Sequence, residues 1–275
     1  MSSPLHVVRQ GAGPLVVLVH GSATDHATWS IQLAGKLGER VRLVAYDRRG
    51  AGKSELPPGV SHLSVEEHAA ELAALCEAER GPSEHGEQVL VCGSSFGAVV
   101  VLELARTRRP WLDGIVLLEP PLPPSDDAPD IQGQFLAELD RIAETDGPPA
   151  AAEKFLRTVL GDAAWGKLPR MFQERSKSFW PQIRGDCHAL ASYRVRYGSL
   201  GAITTPALLL SGDRSAPYFA PTVEALTRSL GDAVASVIPG AGHMMQAEAP
   251  RGFHERLLKF AESIAHLPPA PAPAS

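Results

Sequence analysis

Cysteine is scarce: Cys76, Cys92 and Cys187 are the only three in 275 residues. Three thiols far apart in sequence make neither a disulfide framework nor the paired spacing of a zinc site, and they suit a reducing cytoplasm. No apolar run reaches the length of a membrane span, so no membrane partner is expected. Lys and Arg nowhere cluster, and the formal net charge is -5 with a pI near 6.1. Nucleic acid is therefore not an expected partner. The opening Met-Ser-Ser-Pro-Leu-His has no basic segment leading into an apolar core. No secretory signal is expected from it, and the cytoplasm is the expected location. Gly52-Lys53-Ser54 matches the end of a phosphate-binding loop, but the first glycine of that motif would fall at position 47, which is Asp47. With no dinucleotide fingerprint and no metal-spaced cluster either, neither a cofactor nor a metal is expected.

What remains is an ordinary globular balance, 44% hydrophobic and 21% charged, long enough for one large α/β domain with an insertion. Short apolar runs alternate with helical patterns. Residues 5–9 can form a first strand, and residues 15–19 read as a buried central strand. Helical spacing follows over 29–37, then a strand over 41–46. Ser64 with Glu67 three positions on reads as a capping box, opening a helix to about Glu79. Residues 81–87 are a polar loop. Strands are expected at 89–92, 114–118, 207–210 and 235–238, and helices at 98–105, 223–230 and 253–265. Between 131 and 197 no buried strand is legible, and many large side chains gather there, among them Phe155, Trp165, Phe179 and Trp180. This segment reads as an inserted helical cap. Residues 1–120 and 200–266 would form the core, 121–199 the cap, and 267–275 a disordered Pro/Ala tail.

Strands alternating with helices imply a mostly parallel sheet, with ligands bound beyond the strand carboxyl ends. His20, Ser95, Glu119, Asp213 and His243 all fall at or just past such ends. Gly93-Ser94-Ser95-Phe96-Gly97 fits G-x-S-x-G between a strand and a helix, a turn that lifts the central hydroxyl above the sheet. A serine hydroxyl needs a base within hydrogen-bond reach, and the base needs a third group to hold its tautomer. The chain order Ser95, Asp213, His243 supplies all three.

The ordered motifs resemble the α/β-hydrolase superfamily, of the serine esterase and perhydrolase type with a helical cap. They are His20-Gly21 after a strand, Asp47 to Ser54, the elbow at Ser95, Ser211-Gly212-Asp213, and Gly240-Ala241-Gly242-His243. The resemblance implies a central sheet of about seven or eight strands flanked by helices. It implies Ser95 as nucleophile, His243 as base and Asp213 as the acid, with Glu119 as the alternative acid. The oxyanion hole would be the backbone N–H groups of Ser22 and Phe96. The Ser22 hydroxyl either adds a donor or caps its loop. His20 is expected to brace that loop, and residues 47–54 to brace the site; His26 and His188 are further candidates for the pocket lining.

The function expected is hydrolysis of a mainly apolar small-molecule ester, thioester or lactone through an acyl-enzyme on Ser95. The same residues serve C–C bond hydrolysis, perhydrolysis or a biosynthetic lactone or cyclisation step in the alternative reading. A non-catalytic ligand receptor on the same fold is the competing class.

Overall fold

The computed structural model describes residues 4–81 and 87–266. The polar loop expected at 81–87 lies largely outside them, and the Pro/Ala tail wholly so. Seven strands form one sheet: β1 (Val7–Gln10), β2 (Leu15–Val19), β3 (Arg42–Tyr46), β4 (Val89–Ser94), β5 (Leu112–Leu118), β6 (Ala207–Gly212) and β7 (Ala233–Ile238). Their order is β1-β3-β2-β4-β5-β6-β7. Only β1 runs antiparallel, against β3; the other pairs are parallel. The helices are α1 (Ser30–Ala34), α2 (Val65–Glu79), α3 (Phe96–Arg106), α4 (Ile131–Thr145), α5 (Pro148–Leu160), α6 (Asp162–Lys167), α7 (Arg170–Lys177), α8 (Trp180–Ser192), α9 (Phe219–Ser229), α10 (Met245–Glu248) and α11 (Pro250–Ser263).

The central strands are apolar without alternation because both faces of the sheet are covered. Leu15, Val17 and Val19 face one way, with Val89 and Val91, into a core shared with α2, α3 and α9. Val16 and Leu18 face the other way, with Leu90 and Cys92, into a core closed by Trp29 and by Phe253, Leu257 and Phe260 of α11. Helix α3 carries apolar residues around its whole circumference, and nine of its residues are buried. Helices α4 to α8 fill the chain between β5 and β6 and build a third core of their own, around Leu139, Trp165 and Ile183. The segment expected to be helical over 29–37 is broken into α1 and two flanking 3-10 turns, with Gly35 extended between them. Helix α2 begins where the capping box places it: Glu67 N–H donates to Ser64 Oγ, and Ser64 N–H donates to the Glu67 carboxylate.

All three cysteines are free and buried. Burial pushes each thiol well above its ordinary range, since a thiolate would lose its water there. The native protein should therefore give no reaction with Ellman's reagent, and three thiols should react after denaturation; fast labelling of the native chain would show that one of these helices or strands opens readily.

Candidate active site

Because six of the seven strands run in one direction through the sheet, their carboxyl ends share one rim. Ser95 follows β4 there. Its backbone is left-handed, φ 54 and ψ -123, strained for a residue with a side chain. The turn is tight because α3 packs directly on β2. A Cβ at Gly97 would lie 2.5 Å from Val19 O and 2.6 Å from His20 O. The loop after β2 also presses on the serine, since a Cβ at Gly21 would lie 2.9 Å from Ser95 Cβ.

His243 stands on the loop after β7, with its ring stacked on Phe219 at 4.4 Å between centroids. Its Nδ1 donates to Glu119 Oε2 at 2.7 Å. Gly212 N–H donates to the other oxygen, Glu119 Oε1, at 2.9 Å. Glu119 has no exposure to solvent and His243 has 4%. Each carboxylate oxygen therefore has a protein donor, and the imidazole is held in the tautomer that leaves Nε2 with a lone pair. Nε2 is buried and makes no hydrogen bond within the described residues.

The carboxylate bonded to His243 is thus the alternative candidate, Glu119, and not the expected Asp213. Asp213 does not reach His243. It is exposed, and its Oδ1 accepts from Gly240 N–H at 2.7 Å, clasping the turn after β7. Glu119 reaches the imidazole because its own backbone turns left-handed, φ 43, at the end of β5. The carboxylate then passes across the end of β6, where it meets Gly212.

Ser22 and Phe96 occupy the expected places, after the His-Gly pair and after Ser95. Neither N–H donates to another described group. Phe96 is the first residue of α3, where a helix has no internal acceptor to offer. The Ser22 hydroxyl, however, is engaged with the inserted helices: it donates to Asp186 Oδ2 at 2.7 Å. His20 braces its loop as expected. Its Nδ1 donates to Gly21 O at 2.7 Å and its Nε2 accepts from Arg48 N–H at 2.9 Å. Burial and the Arg48 charge hold its pKa well below the ordinary imidazole range.

Two residues organise this loop: Arg48, within the stretch 47–54 expected to brace the site, and Asp186, unremarked in the sequence. Arg48, fully buried, donates to His20 O, to Gly21 O and twice to the Asp186 carboxylate, and its guanidinium lies 4.5 Å over the Phe96 ring. Asp186 comes from α8, far along the chain. One signal for it was present: it is an acid three residues after Ile183 and four before Leu190, on the apolar stripe of its helix. Helix α8 adds Gln182, which donates to Gly21 O at 3.3 Å.

Ser95 and His243 open into one cavity of about 780 Å³. Phe155, Leu156, Val159 and Leu160 of α5 line it, with Leu168 and Phe179 from the turns between α6, α7 and α8. Asp25 and Arg175 meet at its edge in an ion pair of 2.7 Å. His26 and His188 do not line it. His26 bonds Asp47, and His188 stacks on His62.

With fold and site in view, the chain belongs to the alpha/beta hydrolase family, whose model matches residues 16–256. RutD of Variovorax paradoxus, named for carbamate hydrolysis, is 27% identical over 98% of this chain and all of its own length. EphD of Mycobacterium tuberculosis, named as an oxidoreductase, is 37% identical over 94 residues. That match covers 34% of this chain and only 15% of the relative. Among solved structures, a thermophilic esterase from Thermogutta terrifontis superposes with a TM-score of 0.78 at 25% identity, covering 94% of this chain and 93% of the esterase. No helix among the described residues is long and apolar enough to cross a membrane.

Removing one partner of a buried ion pair leaves a charge without water or counter-ion. Asp186→Ala should lower unfolding stability by about 3–5 kcal/mol in urea titration. Arg184→Ala, which breaks the partly exposed pair with Asp140, should cost about 1 kcal/mol or less. Equal effects would mean that the Arg48–Asp186 pair braces nothing.

Proposed function

We propose that the protein is a serine hydrolase acting on a mainly apolar ester, thioester or lactone of modest size. The observation that carries this reading is His243, oriented by Glu119 through a 2.7 Å hydrogen bond, with its Nε2 buried and unpartnered in the cavity that also holds Ser95. In this reading His243 Nε2 takes the Ser95 proton as Oγ attacks the carbonyl. The negative charge that develops on the carbonyl oxygen rests on the N–H groups of Ser22 and Phe96, and losing one such donor typically costs ~3 kcal/mol of transition-state stabilisation. His243 then returns the proton to the leaving group. Water, deprotonated by the same nitrogen, opens the acyl-enzyme. Glu119 steadies the imidazolium and is not itself protonated.

Helices α4 to α8 act as the cap in this scheme. Their apolar wall favours substrates with hydrocarbon bulk beside the reacting carbonyl, and the volume suits a small molecule rather than a polymer. Cytoplasmic action is the location we infer, on the three free thiols.

A fluorophosphonate followed by intact-mass measurement tests the nucleophile. One adduct is expected on the wild type and none on Ser95→Ala; absence of any adduct, together with no turnover of generic esters, would favour a ligand receptor instead. The acid is tested separately. Glu119→Gln should lower kcat by about 10³–10⁴, as loss of the tautomer-holding carboxylate does in serine hydrolases. Asp213→Asn should stay within about threefold of wild type, as surface substitutions do. The reverse order of losses would return the role to Asp213.

A further inference from the structure

Away from the cavity, His6, His26 and Asp47 form a second cluster. His6 precedes β1, His26 opens the 3-10 turn His26–Trp29, and Asp47 follows β3. One ligand atom from each lies within 4.8 Å of the other two. His26 Nδ1 is 2.7 Å from Asp47 Oδ1, and the two imidazoles meet edge to face with centroids 4.9 Å apart. We propose that these three side chains bind a divalent first-row transition cation of the Zn²⁺ type, at a site separate from the reaction centre.

The donor set is the first argument. Two imidazole nitrogens and one carboxylate oxygen suit Zn²⁺, Ni²⁺ or Cu²⁺ rather than Mg²⁺ or Ca²⁺, which take oxygen ligands. The setting of Asp47 is the second. Its side chain is almost sealed from solvent, yet no Lys or Arg side chain pairs with it among the described residues; His26 is its only ionisable partner. It is not a loose surface acid. His26 N–H donates to Oδ1 at 2.8 Å and Lys53 N–H to Oδ2 at 2.9 Å, so the carboxylate is aimed by the main chain, as outer-shell hydrogen bonds aim metal ligands. The third argument is His6. Its ring makes no hydrogen bond within the described residues and is partly exposed, so it is free to turn toward the others.

The fit requires small movements. Tetrahedral zinc with bonds near 2.0–2.2 Å spaces its ligand atoms about 3.3 Å apart. The His26–Asp47 contact opens slightly, and the His6 ring closes in. The proton on His26 Nδ1 passes to the other ring nitrogen, leaving a lone pair for the cation. Three protein ligands leave a fourth position for water. The bound ion would join the start of β1, the turn after the Ser22 loop and the loop after β3. Asp25, the neighbour of His26, caps that turn and holds Arg175 of α7, so the cation would stiffen one wall of the cavity.

The test uses the full chain without a histidine tag, stripped with chelator. Titration calorimetry with ZnCl₂ should give one site per chain, and Co²⁺ should give the visible absorption of a tetrahedral site. His6→Gln leaves the backbone bond of His6 to Ser54 in place and should weaken Zn²⁺ binding at least ~10-fold, as should His26→Gln. His188→Gln, in the other stacked imidazole pair, should bind like wild type. No binding by the wild type overturns the proposal. So does undiminished binding by His6→Gln, and so does equal loss in His188→Gln. None of these readouts depends on the role of Ser95.

Discussion

Arg48 has no exposure to solvent, so its N–H groups depend on oxygens inside the protein. It finds His20 O, Gly21 O and both oxygens of Asp186. Those acceptors belong to two separate parts of the fold, the loop after β2 and helix α8. The two carbonyls fix the loop after β2, whose Ser22 N–H makes no hydrogen bond to another described group. The carboxylate draws α8 down onto that loop. The guanidinium also covers Phe96, whose amide is the other candidate donor. One buried charge thus couples the sheet edge, the elbow and the inserted helices. A shift in any of them would leave a polar group stranded.

The second constraint is steric. Ser95 and Glu119 both hold left-handed backbones at the ends of adjacent strands. Such conformations persist only where the surroundings leave no other choice. At Ser95 the choice is removed by α3 lying against β2, and at Glu119 by the two hydrogen bonds its carboxylate makes beyond its own strand. Strain in both places aims a side chain at the same space. The two residues are 24 positions apart along the chain, but their strands are hydrogen-bonded neighbours.

Local rules carried far in this chain. Unbroken apolar runs marked the buried parallel strands, the capping box marked the start of α2, and the glycines around Ser95 marked the elbow, because each of these depends on residues within a few positions of one another. The run of helices between β5 and β6 was visible as a long stretch of helical spacing without a strand. Where the reading fell short, the cause was again physical. The helix expected over 29–37 breaks because Gly35 takes an extended conformation that propensity alone does not forbid.

The amino-acid sequence by itself determined the alternation of strands and helices and the rim on which the candidate residues stand, since nearest-neighbour chemistry and chain direction suffice for these. Only the tertiary structure decided which carboxylate meets His243. Asp213 and Glu119 both end parallel strands in the same sheet, and the choice turns on a left-handed residue and on an amide of the neighbouring strand. It also decided that Asp186 faces Arg48 across 138 positions of sequence, and that His6 and His26 share Asp47. Contacts of that kind arise from packing between distant segments, and no local pattern in the chain encodes them.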